Sequence, residues 1–315
     1  MQQAIRAHQR TSFADEVHAF FNGARLRGIH TYEDDGESVR GAYYFHKWIE
    51  EDPDYYIIRN EQRLFSENAQ TIIERAGEHD LLADIGCGQA FSGKIAHLLD
   101  KSNAGYLAFD SDRTAVEHCF REAASRYPER PRYRMVGDFL KAPIRLSQYG
   151  RVFPVMLGGT ITNFGVDGIR TILRNLKPIV GKNGLLLTHD ANRNPESIVR
   201  AYNHPLFKLH ALSALHKIKR DLPTKGFHVE DWDCTTFWNK STNTADITFF
   251  PKKDVSFEID GVTYDFKVGH PLVQTSLLKL PSDVFLAIAR QEGYDHHEPI
   301  PDHQERVTAQ HLTLH

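Results

Sequence analysis

The sequence predicts an α/β protein: a parallel sheet flanked by helices, interrupted by an inserted α+β domain. Two observations predict the sheet. From residue 81 onward, short apolar runs alternate with helical stretches. The first of those runs, Leu81 to Ile85, leads straight into a tight turn with two glycines one residue apart, Gly86 and Gly88. A third observation predicts the insertion. After residue 194 the alternation gives way to closely spaced strand candidates around Asp260-Gly261, a strong hairpin signal.

Taken in order, residues 1–30 are mixed and polar, with an apolar patch from Val17 to Phe21, and read as a helical arm. Tyr32-Glu33-Asp34-Asp35-Gly36 is an acidic turn. In the aromatic stretch from Gly41 to Glu50, Tyr44, Trp48 and Ile49 fall at helical spacing, and Pro53 closes that helix. Tyr55-Tyr56 follow as a short link, and a helix is expected over 61–76. Strands are expected near 81–85, 105–109, 132–136, 152–157 and 184–189, with helices near 92–100, 112–125 and 167–177. In such a sheet the C-terminal strand ends face one crevice, where ligands bind. Asn192 to Pro195 break the pattern, and one long helical region follows over 195–222. Strand candidates then lie at 227–234, 246–250, 255–259 and 263–268. The chain returns to the sheet near Lys279, with a helix over 282–292 stopped by Gly293 and a terminal strand over 307–315.

Composition excludes several functions. With 41% hydrophobic and 25% charged residues, the 315-residue chain can bury a substantial core. A net charge of -3 makes no broad basic field, which argues against a nucleic-acid partner. No run of about 18 apolar residues suggests a membrane span, and the N-terminal stretch lacks the apolar core of a signal peptide. Cys87, Cys119 and Cys234 are too scattered for a disulfide framework or zinc spacing, so a reducing, cytoplasmic setting is expected. The 18 histidines are spread out, and no metal site is expected of them.

The strand ends indicate the ligand. Gly86 and Gly88 let the backbone bend and leave room for a bulky group. Tyr106 to Asp110 repeats the pattern of an apolar strand ending in an acid, and Asp110 can accept hydrogen bonds from a ribose. A third glycine, as a pyrophosphate loop requires, is not clearly present, and Asp84 would repel a phosphate while suiting a cationic or amine group. S-adenosylmethionine, with an amino group, a sulfonium and a ribose, answers this pattern. Gly137-Asp138-Phe139 ends the third strand, either as a plain turn or as an acceptor for the adenine amino group with an aromatic cover. Gly158-Gly159 bring the backbone close to a ligand, and Asn163 offers a donor and an acceptor toward a substrate. His189 and Asp190 reach the same crevice or simply mark a polar strand end.

Five stretches together resemble one family. They are Pro53-Asp54-Tyr55-Tyr56 with Arg59-Asn60-Glu61, the Asp84-to-Gly88 turn, Gly137-Asp138-Phe139, Leu157-Gly158-Gly159-Thr160-Ile161 with Asn163, and Ser197 to Tyr202 with its Val199-Arg200-Ala201-Tyr202 core. In order and spacing they resemble the histidine N-alpha-methyltransferases of ergothioneine biosynthesis, a group that includes a fungal dimethylallyltryptophan N-methyltransferase. The resemblance implies a Rossmann-like class I S-adenosylmethionine-dependent methyltransferase fold with an inserted α+β substrate-binding domain. It divides the chain into a cofactor domain over 57–193 and 279–315 and a substrate domain over 1–56 and 194–278. It further implies that Gly86, Lys94, Asp110, Asp138 and Phe139 line the cofactor, Lys94 after a small gap in the family pattern. Tyr56, Asn163 and Tyr202 would meet an amino acid's α-amino and α-carboxylate groups.

One departure bears on the substrate. The family grips an imidazole with a glutamate and a serine in a Thr-Glu-Ile-Ser pattern. An ungapped match anchored on Lys279 puts Thr275 and Leu277 there. A buried imidazole without those polar partners would be left unsatisfied. The expected activity is therefore N-methylation of a small amino acid or amino-acid-derived metabolite other than free histidine. The alternatives are transfer of the cofactor's aminobutanoyl arm, or a non-catalytic binding protein of the same fold. The oligomeric state is not legible.

Overall fold

The computed structural model describes residues 12–88, 91 and 93–315. In chain order the helices are α1 (Phe13–Phe21), α2 (Gly41–Glu51), α3 (Tyr56–Ala76), α4 (Ile95–Leu99), α5 (Arg113–Arg126), α6 (Gly165–Leu176), α7 (Pro195–Ala201), α8 (Pro205–Asp221) and α9 (Ser282–Gln291). The strands are β1 (Leu81–Ile85), β2 (Gly105–Asp110), β3 (Arg132–Val136), β4 (Val152–Met156), β5 (Leu185–Asp190), β6 (Thr224–Lys225), β7 (Trp232–Asn239), β8 (Thr244–Pro251), β9 (Val255–Ile259), β10 (Val262–Phe266), β11 (Leu272–Leu278), β12 (Tyr294–His296), β13 (Ile300–Pro301) and β14 (Val307–Leu314). Among the described residues two compact units result, one from 12–52, 199–239 and 245–276, the other within 53–198, 240–244 and 277–315.

The second unit holds an eight-stranded sheet in the order β12-β14-β5-β4-β1-β2-β3, with β13 on β14. The strands β1 to β5 run parallel, and β14 runs antiparallel to β5. The order reverses at β1, whose neighbours are β2 and β4, so the ligand crevice of such a sheet opens above Gly86 and Leu157. β1, β4 and β5 are buried along their whole length, which is why they read as mainly apolar runs, broken by Asp84 in β1 and by Thr188, His189 and Asp190 at the end of β5. Leu81, Ala83, Ile85 and Leu187 pack into one core layer, and Leu82, Phe153, Val155 and Leu186 into the other. This is a Rossmann-like, doubly wound α/β fold.

The first unit contains two three-stranded sheets, β10-β9-β6 and β11-β8-β7. Phe21 of α1 is buried among aromatics, its ring 5.2 Å from both Phe257 and Tyr264.

Several local expectations are corrected. The helix foreseen from residue 61 starts at Tyr56, because buried Ile57 and Ile58 extend the buried stripe that Leu64 and Phe65 share with Glu61 by one turn. The long region over 195–222 is two helices; Pro205 opens the second, where the His204 side chain accepts from the Leu206 amide. The strand placed at 227–234 begins at Trp232, and Val229–Asp231 is a short 3-10 turn. β11 was not foreseen. Of the expected helix over 92–100, Ser92 lies outside the described residues, as do residues 1–11 of the N-terminal arm, and α4 starts only after Lys94.

Candidate active site

The turn after β1 is held by backbone. The amides of Gly86 and Cys87 donate to Phe109 O at 2.8 and 3.2 Å. Gly86 needs to be glycine because its φ is +74°, in the left-handed region; space alone would admit a Cβ, which would stand in ordinary contact 3.4 Å from Thr160 Cγ2 and 3.6 Å from the Phe139 ring. Gly86, Phe139 and Thr160 therefore meet at one point above the sheet. The amide of Gly88 donates to Asp110 Oδ2 at 3.0 Å, and Asp110 Oδ1 accepts from the Asp112 amide at 3.0 Å. That fixes the carboxylate at the end of β2 and leaves lone pairs for further donors. Beneath this turn, the Cys119 thiol donates to Gly88 O at 3.1 Å. Asp138 closes a turn, accepting from the Leu140 amide at 2.9 Å and pairing with Lys141, also at 2.9 Å. Phe139 is buried and meets Phe164 edge-on at 5.6 Å.

A second group converges under Gly158. Glu61, Asp84 and Lys94 are 0, 1 and 5% exposed. Glu61 Oε1 accepts from the Gly158 amide at 2.6 Å and from the Thr188 hydroxyl. Asp84 Oδ2 accepts from the Tyr106 phenol at 3.2 Å. The Lys94 ammonium donates to Cys87 O at 3.4 Å. Burial pushes Asp84 up to about 6 against the pull of the Lys94 ammonium. Burial likewise raises Glu61. For Lys94 burial acts downward, yet Asp84 and Glu61 together outweigh it and hold the ammonium above its usual value. All three groups favour protonation, as expected where two buried carboxylates share one cation. Among the described residues, Glu61 Oε2 and Asp84 Oδ1 have no hydrogen-bond partner. This arrangement fits the amino-acid end of S-adenosylmethionine: an ammonium for the two spare oxygens, a carboxylate for Lys94. In the sequence Glu61 stood only as part of a family stretch, with no role; its place in a helix stripe that is otherwise apolar was the further signal.

The third group surrounds Tyr56. Its phenol donates to Asp190 Oδ2 at 2.7 Å, and the Lys279 ammonium donates to the same oxygen. The Asn192 amide takes Asp190 Oδ1 at 3.0 Å. All three side chains are buried. Burial lowers Lys279 from its ordinary value, opposed by the Asp190 carboxylate. Of the strand-end pair, Asp190 thus joins Tyr56, whereas His189 belongs to the opposite sheet face. His189 stacks on Phe285 at 4.7 Å, its Nε2 lies 3.1 Å from Gln310 Nε2, and burial pushes it down to about 4, so it is neutral.

Asn163 lies exposed on the 3-10 turn Thr160–Phe164, three residues after the threonine that packs on Gly86. Leu277 is half-buried at the end of β11.

In the other unit, Tyr202 is buried against Trp48 and Phe207, with ring centroids at 5.7 and 5.2 Å. Thr275 is half-buried on β11. This strand is less apolar than the departure at Thr275 and Leu277 suggested. On its alternate face, Ser276 donates to Asp246 Oδ1 at 2.5 Å, and Gln274 is fully buried. Among the described residues, no cluster of His, Cys, Asp and Glu could hold a metal, and no helix is long and apolar enough to cross a membrane.

A doubly wound sheet, a glycine turn at its switch point and an acid closing β2 form a nucleoside-binding crevice of the class that S-adenosylmethionine-dependent methyltransferases use. Within that class, the chain belongs to the histidine-specific, S-adenosylmethionine-dependent methyltransferase family, whose sequence model matches residues 24–314. It is similar to the N-methyltransferase fsqC of Aspergillus fumigatus, with 23% identity over 308 residues, covering 93% of this chain and 82% of that protein. Solved structures similar to it include an S-adenosylmethionine-dependent methyltransferase from Clostridium acetobutylicum (9% identity, TM-score 0.47, covering 87% of this chain and 97% of that one). Another is CcbJ from Streptomyces caelestis (13% identity, TM-score 0.46, covering 80% and 96%).

Proposed function

We propose that the protein transfers a methyl group from S-adenosylmethionine to the amino nitrogen of a small amino acid or amino-acid-derived metabolite other than free histidine. It would then be a divergent relative of the ergothioneine-pathway enzymes, working with reduced thiols in the cytoplasm. One observation carries the reading. The 3-10 turn that packs Thr160 onto the cofactor glycine also bears Asn163, so cofactor turn and substrate amide are coupled by a single short segment. The Aspergillus relative, named an N-methyltransferase, supports nitrogen as the acceptor.

When bound, S-adenosylmethionine supplies an electrophilic methyl on a sulfonium that leaves as a neutral thioether. Glu61, Asp84 and Lys94 would hold its amino-acid end, Asp110 its ribose, and Asp138 with Phe139 its adenine. The chain's remaining work is to orient a deprotonated amine and exclude water. Asn163 and Tyr56 are assigned to the amino group, and Tyr202 to the carboxylate. Asn163→Ala should lower turnover about 100-fold with cofactor affinity unchanged by calorimetry; loss of cofactor binding would move Asn163 to the cofactor side.

The direct test is mass spectrometry of the twenty amino acids and related amines incubated with S-adenosylmethionine. A gain of one or more methyl masses on an acceptor other than histidine is expected. A four-carbon gain would assign aminobutanoyl transfer instead, and methylated histidine would remove the substrate assignment. If Thr275 and Leu277 set that preference, Thr275→Glu with Leu277→Ser should raise histidine methylation at least tenfold. An unchanged rate would mean that these positions do not read the side chain.

A further inference from the structure

We propose that the cavity at the end of β5 is an acid-binding subsite in which Arg306 holds a side-chain carboxylate of the methyl acceptor. The preferred acceptors are then acidic amino acids or their acid-bearing derivatives. The inference rests on the N-methylation reading above and names the substrate class within it.

β14 runs antiparallel to β5 with Val307 opposite Asp190, so the segment after β5 and the segment before β14 meet at the C-terminal end of the parallel strands. That is the end at which such sheets bind ligands. The Ala191 amide donates to Arg306 O at 2.8 Å and extends the ladder by one bond. Beyond it the two segments line an open cavity of about 830 Å³. Of its lining, Ala191 and Asn192 are buried, Arg306 is half-buried, and Arg193, Glu196 and Glu305 are exposed.

Depth decides the sign of the ligand. Two arginines and two glutamates carry no net charge, but exposed charges are screened by water and salt. Both glutamates are exposed and Arg306 is not, so a group entering the cavity meets the guanidinium where water weakens the attraction least. The guanidinium is also held in place without being neutralised. Asp302 Oδ1 accepts from the Arg306 and Val307 amides, both at 2.7 Å. Its Oδ2 accepts from the Gln304 amide at 3.1 Å and from Asn60 Nδ2 at 2.8 Å. This buried acid thus pins the backbone of Arg306 and leaves the side chain to other partners.

Among the described residues, no carboxylate pairs with the guanidinium of Arg306 or of Arg193. The Arg306 guanidinium carbon instead lies 5.6 Å from the ring centroid of Tyr56, the residue assigned to the acceptor's amino group. Ring contact leaves the guanidinium its full charge, and its planar fork matches a carboxylate through two parallel N–H···O bonds. The α-carboxylate is already assigned to Tyr202, so the acid that reaches Arg306 is a second one, carried on the side chain. Histidine brings no such acid, and an imidazolium would be repelled by the guanidinium.

The test compares acceptors that differ by one charge and little else: L-glutamate with L-glutamine, and L-aspartate with L-asparagine. The full chain is titrated with each by calorimetry at saturating S-adenosylhomocysteine, and methyl transfer from S-adenosylmethionine is read by mass. At least one acid should bind about tenfold or more tightly than its amide, with the same preference in kcat/KM, as a charge-assisted pair predicts. Arg306→Met should bring that ratio close to one, chiefly through KM, while affinity for S-adenosylmethionine stays within about threefold. Arg306→Gln, which keeps a polar stem and removes the charge, should do the same and decides the matter should the methionine variant not fold. Equal binding of acid and amide by the wild type overturns the proposal, as does an unchanged ratio in the variants. A loss of equal size on acid and amide also overturns it, and would make Arg306 a support for the Tyr56 ring. Methyl transfer to neutral acceptors without acid preference removes the subsite alone. Absence of transfer to every amino acid by the wild type would overturn the N-methylation reading, and with it the part of Arg306 in that reaction.

Discussion

Lys94→Met is expected to destabilise the folded protein by about 3–5 kcal/mol at neutral pH, the usual effect of removing one member of a buried ion pair. The ammonium is the cation that both Glu61 and Asp84 feel most strongly. Without it, two ionised carboxylates would remain buried side by side. The pH dependence identifies the cause. Asp84 is held near 6 in the folded protein, above its ordinary 3.8, so the folded state binds a proton that the unfolded chain has released. The penalty for burying the ionised group is therefore complete above about pH 6 and relieved as pH falls toward the ordinary value. Loss of Lys94 raises both acids further and extends that window upward. Thermal unfolding at pH 5 and pH 8 should show wild type and variant drawing together at the lower value. A gap independent of pH would mean that Lys94 contributes packing of its stem and no charge compensation. The variant should also lose measurable affinity for S-adenosylmethionine, since Lys94 is assigned to its carboxylate.

Asp110→Ala is expected to weaken S-adenosylmethionine binding about 100-fold or more. Hydrogen bonds to a charged acceptor contribute roughly 1.5–3 kcal/mol each, and a ribose offers two hydroxyls. The change also unties the glycine turn, because the Gly88 amide donates to Asp110 Oδ2. Asp110→Asn separates the two effects. Its amide oxygen can still accept from Gly88, so the turn stays in place while one ribose acceptor is lost, and a reduction nearer tenfold is expected. Calorimetry with S-adenosylmethionine reads both variants. Unchanged affinity in Asp110→Ala would remove the carboxylate from the ribose and leave it as a turn-holding residue.

The local parts of this enzyme were legible in the residues. β1, β4 and β5 read as strands because burial on both sheet faces favours apolar side chains along most of their length. Gly86 was legible because its backbone lies in the left-handed region, which side chains with a Cβ avoid. Asp260-Gly261 announced its hairpin, which forms between β9 and β10. β11 was hidden because its alternation sets Gln274 and Ser276 against Thr275 and Leu277, polar residues on both faces, and no apolar period survives. The start of α3 was missed for a related reason: Tyr55-Tyr56 before two isoleucines carry no capping signal, and Tyr55 makes no side-chain cap.

By itself, then, the sequence determined the order of strands and helices, the glycine turn, the acid that closes β2 and the family motifs, all of which are written over a few neighbouring residues. Only the tertiary structure decided which charges share a burial site. Glu61 meets Gly158 across 97 positions, Tyr56 meets Asp190 across 134, and Lys279 meets Asp190 across 89. A buried carboxylate is tolerable only beside a cation or a donor, and which cation that is depends on sheet order and strand register, quantities with no local period in the chain.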